Sequence, residues 1–129
     1  LVLVEIPERQ GYPHLHVRVH NYGRRPILTA VCEAVVIKGN PSARWEPDPG
    51  SEMVLRVVRP QNESEAGGSF CGDFVNTDGT KVATATYDAF GEATYLGQPE
   101  VTQIYASVRF TDAGGNVWIT DTDGQLSTA

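Results

Sequence analysis

His14-Leu15-His16-Val17-Arg18-Val19-His20 decides how this chain is read. Leu15, Val17 and Val19 fall on one side of a period of two, and the three histidines and Arg18 fall on the other. That is the pattern of a β-strand with one face on a core and one face in water. Upstream, Leu1-Val2-Leu3-Val4-Glu5-Ile6 is rich in β-branched residues and stops at Pro7, which predicts a second strand. If that strand lies at a sheet edge, residues 1–4 offer backbone groups that a partner strand could join. Downstream, Asn21-Tyr22-Gly23-Arg24-Arg25-Pro26 supplies turn residues: Asn21 and Gly23 tolerate positive φ, and Pro26 pre-sets the backbone entering the next element.

Residues 27–37 form the longest apolar run. Ala30, Glu33 and Ala34 suit a helix, whereas Val31, Val35, Val36 and Ile37 suit a strand; the adjacent turn and strand favour the strand. Residues 38–50, with Pro41, Pro47 and Pro49, read as loop, 53–58 as a strand closed by Pro60, and 61–68 as an acidic loop. Strands over 70–75 and 81–87 flank Asn76-Thr77-Asp78-Gly79-Thr80, an Asp-Gly hairpin signal. Residues 89–99 read as a loop. A second hairpin joins strands 101–110 and 117–120 through Asp112-Ala113-Gly114-Gly115-Asn116, where the glycine pair allows a primed turn. Seven to eight short strands at this spacing, with no internal repeat, predict an all-β antiparallel sandwich or barrel.

The chain has 129 residues, enough for one domain spanning 1–129 that buries roughly two-thirds of its unfolded surface. It opens at Leu1, which reads as a domain excised or processed from a longer chain with room for an upstream anchor. No run approaches the ~18 consecutive apolar residues of a membrane span. Net charge is −6, unevenly placed: residues 1–60 hold eight Lys/Arg against six Asp/Glu, and residues 61–129 hold two against ten. That balance argues against nucleic acid as a partner, since phosphate binding needs clustered cations. Cys32 and Cys71 could bridge facing sheets or stay free as small apolar residues.

Two stretches carry a family resemblance. Val17-Arg18-Val19-His20-Asn21-Tyr22-Gly23-Arg24-Arg25-Pro26-Ile27 resembles the "strand, Asn-x-Gly, Arg-x-Pro, strand" opening of small bacterial immunoglobulin-like sandwich domains. The close, Val108-Arg109-Phe110-Thr111-Asp112-Ala113-Gly114-Gly115-Asn116-Val117-Trp118 and then Asp123-Gly124-Gln125-Leu126, is similar to the C-terminal hairpin and tail of uncharacterised actinobacterial proteins. Around Trp118 this chain has Asn116, Ile119 and Thr120 where those proteins carry arginines. The resemblance implies an immunoglobulin-like fold and attachment to a membrane-anchored or multidomain chain. It brings no catalytic residues.

Four groups could carry chemistry. His14 and His16 share a strand face about 7 Å apart, within reach of one metal ion, while His20 lies too far along. Asp121-Thr122-Asp123-Gly124, with Asp112 nearby, resembles the start of a calcium loop, although no Glu closes it. Ser69 and Cys71 among glycines resemble a nucleophile on a turn, without the Gly-x-Ser-x-Gly spacing. Trp45, Tyr12, Tyr22, Phe90 and Tyr95 stand in or beside loops, where aromatics on a rigid scaffold make binding surfaces or fold back onto the core. Asn62-Glu63-Ser64 is a glycosylation sequon only in a glycosylating compartment. These features predict a non-catalytic module that binds a protein partner and needs no cofactor. A structural subunit of a larger assembly is the alternative, and a metal protein or enzyme on His14 and His16 comes third.

Overall fold

The computed structural model describes residues 1–7, 15–51, 53–63, 66–97 and 99–129, with Tyr95 as backbone only. The chain is all-β and antiparallel. Its described strands are β1 Val2–Glu5, β2 Leu15–Asn21, β3 Thr29–Ile37, β4 Arg44–Pro47, β5 Val54–Leu55, β6 Gly68–Val75, β7 Thr84–Tyr87, β8 Ala93–Leu96, β9 Ile104–Thr111, β10 Val117–Asp121 and β11 Leu126–Thr128. They form a four-stranded sheet in the order β1-β2-β6-β4 and a five-stranded sheet in the order β11-β10-β9-β3-β5. A separate two-stranded ribbon is made by β7 and β8.

The alternation in β2 places Leu15, Val17 and Val19 inside, with Val17 fully excluded from water. Phe70 and Phe74 join them from β6. The other sheet supplies Ala30, Val35 and Ile37 from β3 and Ile104, Ala106, Val108 and Phe110 from β9. These side chains form one core between the sheets, a sandwich-like arrangement in which each buried valine or phenylalanine contributes roughly 1.5–3 kcal/mol. The strand over residues 27–37 outcompetes the helix because β9 pairs with it along nearly its whole length, from Thr29↔Thr111 to Ile37↔Ile104. Glu33 is the extra residue of a bulge between Cys32 and Ala34, and its carboxylate pairs with Arg109.

Several boundaries differ from expectation, each for a physical reason. The expected loop at 38–50 contains β4, a short edge strand of its sheet, where a proline is tolerated. The strand expected at 53–58 is reduced to β5 plus a bridge from Val58 to Ile27. Asn76 and Gly79 do form a tight turn, but the hairpin ends after one bridge, Val75↔Lys81, because β6 is already paired with β2 and β4 on both edges. The second arm of that hairpin therefore turns to β8, inside what reads as loop at 89–99. A short 3-10 turn, Val101–Gln103, precedes β9. With β4, β8 and β11 added, the described residues hold eleven short strands in place of the seven or eight expected.

The turn after β2 works through the Asn21 side chain. Its amide donates to the carbonyls of Arg25 at 2.8 Å and Val58 at 3.1 Å, and its Oδ1 accepts the N–H of Gly23 at 2.9 Å. Gly23 does not take a positive φ. A buried asparagine here ties the crossover between sheets to the β5 segment by satisfying the Arg25 and Val58 carbonyls.

Candidate functional site

Four loops share one turn chemistry. In Asn76–Thr80, Asp88–Glu92, Asp112–Asn116 and Asp121–Gln125 the first residue's N–H donates to the carbonyl of the fifth, and the fourth is a glycine with φ between 80° and 87°. This is a three-residue hairpin loop with a left-handed glycine, so in the Asp112 turn only Gly115 takes positive φ and the expected primed turn does not form. The Asp121 and Asp112 carboxylates of the calcium-like reading are both engaged within their own turns. Asp121 Oδ1 accepts the N–H groups of Asp123 and Gln125 at 3.0 and 2.9 Å, and Oδ2 accepts the Tyr105 hydroxyl at 2.9 Å. Burial, together with that bond, raises the Tyr105 phenol above its ordinary range. Asp112 accepts the indole N–H of Trp118 at 3.0 Å and the N–H groups of Gly114 and Asn116, which hold its carboxyl below the usual range.

On the outer face of the four-stranded sheet, register places His16 directly opposite Cys71. The Cys71 thiol lies 3.9 Å from His16 Nε2 and donates to Asp48 Oδ2 at 2.9 Å. The turn at 48–51 clamps this cysteine: its N–H donates to Ser51 Oγ at 3.1 Å and its carbonyl accepts the Asp48 N–H at 3.0 Å. Burial, with the Asp48 carboxylate beside it, pushes the thiol up to about 12, which favours the protonated form that donates to Asp48. Cys32, packed against the core from the other sheet, is pushed up to about 11 by burial. Both cysteines are free. His14, the expected metal partner of His16, lies outside the described residues. Among the described residues no three His, Cys, Asp or Glu side chains stand where they could hold a metal ion. His20 sits with Nε2 3.4 Å from Glu5 Oε1 and stacks on Tyr22, ring centroids 5.9 Å apart.

The expected loop aromatics separate into distinct environments. Trp45 is on β4, half-buried against the core and edge-on to Phe74 with centroids 5.4 Å apart. Its indole lies across Gly72, where a Cβ would stand 2.7 Å from Trp45 Cζ2, so the close contact requires a glycine there. Tyr22 is half-exposed in the turn after β2. Tyr12 lies outside the described residues, and Tyr95 is on β8 opposite Ala85. Phe90 differs from all of these: it sits at the tip of the β7–β8 ribbon and is 92% exposed.

That ribbon is the one described strand pair that joins neither sheet. Tyr87, 71% exposed, and Leu96, 55% exposed, accompany Phe90 on it, and neither was singled out by sequence. A signal was present: Thr84-Ala85-Thr86-Tyr87 and Ala93-Thr94-Tyr95-Leu96 alternate on either side of Asp88…Gly91, the same spacing as Asp112…Gly115. The ribbon is anchored at its base, where the Val82 N–H donates to the Phe74 carbonyl at 3.0 Å and Ala83 is buried.

Searches against protein-family models, curated proteins and solved structures found no match to this chain. No helix of the described residues is long and apolar enough to cross a membrane.

Proposed function

We propose that this chain is a non-catalytic interaction module of immunoglobulin-like type, and that its β7–β8 arm is the element offered to a protein partner. One observation carries the reading. Phe90 is almost wholly exposed at the tip of a ribbon that joins neither sheet, with Tyr87 and Leu96 exposed along it. An isolated two-stranded ribbon is marginal in water, and exposed aromatics on a rigid base are the usual source of interface energy. The high thiol pKa of Cys71 speaks against nucleophilic chemistry at the other cluster of reactive groups.

A second reading has its own support. β1 lies at the edge of its sheet, beside a groove of about 460 Å³ lined by Leu3, Val4, Ile6, Lys38, Val101 and Thr102 among others. An extended partner segment could add to that edge.

The test is capture from native lysate with wild type, Phe90→Ala and Tyr87→Ala. The arm reading expects a captured protein that both substitutions release while the thermal midpoint stays unchanged. Capture that survives both substitutions and is lost when Val2→Pro blocks the edge assigns the role to β1 instead.

A further inference from the structure

The two ends of the sandwich carry opposite charge. At the end where β2 finishes and β3 begins, the Asn21 amide binds the carbonyls of both Arg25 and Val58, so the turn bearing Arg24 and Arg25 lies against the segment bearing Arg59. The pairing Ala30↔Leu55 and the bridge Ile27↔Val58 bring Arg56 to the same end. All four arginines are exposed, and among the described residues none of them forms an ion pair. They are four of the ten cationic residues in a chain of net charge −6. Exposed Tyr22, Leu28 and Val57 lie among them. Among the described residues the acids at this end are Glu63 and Asp112, the latter hydrogen-bonded to Trp118 and the turn N–H groups, so the four arginines outnumber them.

The opposite end, where β6 finishes and β9 begins, is acidic. The arm leaves from here and carries Asp88 and Glu92 on either side of Phe90, with Glu100 following it; the described cations at this end, Lys38, Arg44 and Lys81, are each paired with an acid, Asp123, Glu46 and Asp73. We propose that a second copy of this chain is the arm's partner: the Phe90 tip of one molecule seats on the Arg24, Arg25, Arg56 and Arg59 end of the next. This rests on the arm reading. The phenyl ring covers Tyr22, Leu28 and Val57 and meets guanidinium planes, while Asp88 and Glu92 face the unpaired arginines. Because the two surfaces lie at opposite ends, the contact is head to tail. After each addition the assembly still ends in one free arm and one free arginine end, so it grows past the dimer until its ends meet in a ring or dilution stops it. One arm tip buries less than a standard interface, which makes the association weak and dependent on concentration.

Sedimentation of the chain across protein concentrations up to about 1 mM, at low salt and again at about 0.5 M salt, tests this. The expected result is a weight-average mass that starts at the 14.0 kDa monomer, more than doubles at high concentration and falls back in salt. Phe90→Ala alone and Arg56→Glu with Arg59→Glu each abolish the rise. Mixing the two variants restores association but stops at the heterodimer, since each retains a single working surface. A chain that stays monomeric throughout, or one whose growth neither variant changes, overturns the proposal. A monomeric chain that sediments with phosphatidylserine vesicles, and loses this with the arginine variant, also overturns it and gives the end to a lipid surface. Both substituted sites are exposed, and circular dichroism confirms that each variant is folded. A monomeric chain that still captures a lysate protein through Phe90 defeats this proposal while leaving the arm reading standing.

Discussion

The hairpins β9–β10 and β7–β8 are closed by the same turn and have opposite fates. Asp112 and Asp88 each accept two backbone N–H groups through Oδ1, and Gly115 and Gly91 each take a left-handed φ, 86° and 81°. Yet β9 buries Ile104, Ala106, Val108 and Phe110, while β7–β8 stands outside both sheets with Phe90 in water. The turn sets the local path of the chain; the residues beside it set where the hairpin goes. Along β9 every second residue is a large aliphatic or aromatic or an alanine on the core face, whereas β7 offers Thr84, Ala85 and Thr86 before an exposed Tyr87. The sandwich hairpin has one further lock, the Trp118 indole on Asp112. The position with the same offset from Asp88 is Thr94.

This contrast can be broken at several points. The largest expected difference is between two phenylalanines. Phe110→Ala leaves a cavity in the core and lowers the unfolding free energy by about 3–5 kcal/mol, whereas Phe90→Ala changes it by less than about 0.5 kcal/mol. Urea denaturation of the two variants checks this, and comparable losses would mean that the arm packs on the sandwich. Next come the turn glycines. Gly115→Ala forces a Cβ into a left-handed position and costs about 1 kcal/mol of global stability. Gly91→Ala meets the same strain, but the arm opens without the sandwich, so urea midpoints stay unchanged and only exchange within the arm quickens.

The smallest effect is in pH. The Asp112 carboxyl is held below its unfolded value, so its contribution is present above about pH 4, the ordinary aspartate range, and is lost as pH falls through its lower folded value. Asp112→Asn removes that acid-side dependence from the thermal midpoint, measured by scanning from neutral pH downward. An acid limb in the variant as steep as in the wild type would show that the Trp118 lock contributes nothing to it.

The strand that carries the fold was legible because its alternation is uninterrupted: Leu15, Val17 and Val19 are buried and Arg18 is exposed, as the period requires. The β9–β10 hairpin was legible for the same reason, aided by its turn residues. β4 was hidden because Pro41, Pro47 and Pro49 surround it, and local breakers say nothing about whether an edge position tolerates them. Trp45 was assigned to a loop as a result, although Ala43 and Trp45 already alternate toward the core. β8 was hidden because it buries little, and a strand without a core face lacks the apolar signal that periodicity detects. The pairing of Cys71 with His16 and Asp48 follows from sheet register and from a turn 20 residues or more away in sequence, which no local pattern encodes. Phe90 was named from sequence among five aromatics; what set it apart was exposure, and exposure is a property of the fold.

The central claim is that β7–β8 is an arm the sandwich does not hold. Amide hydrogen exchange resolved by residue, on dilute protein at neutral pH, tests it most directly. The account predicts that the amides of β3 and β9 exchange only through global unfolding, while those of β7 and β8 exchange orders of magnitude faster through local opening. Protection of the ribbon equal to that of β9 would contradict it.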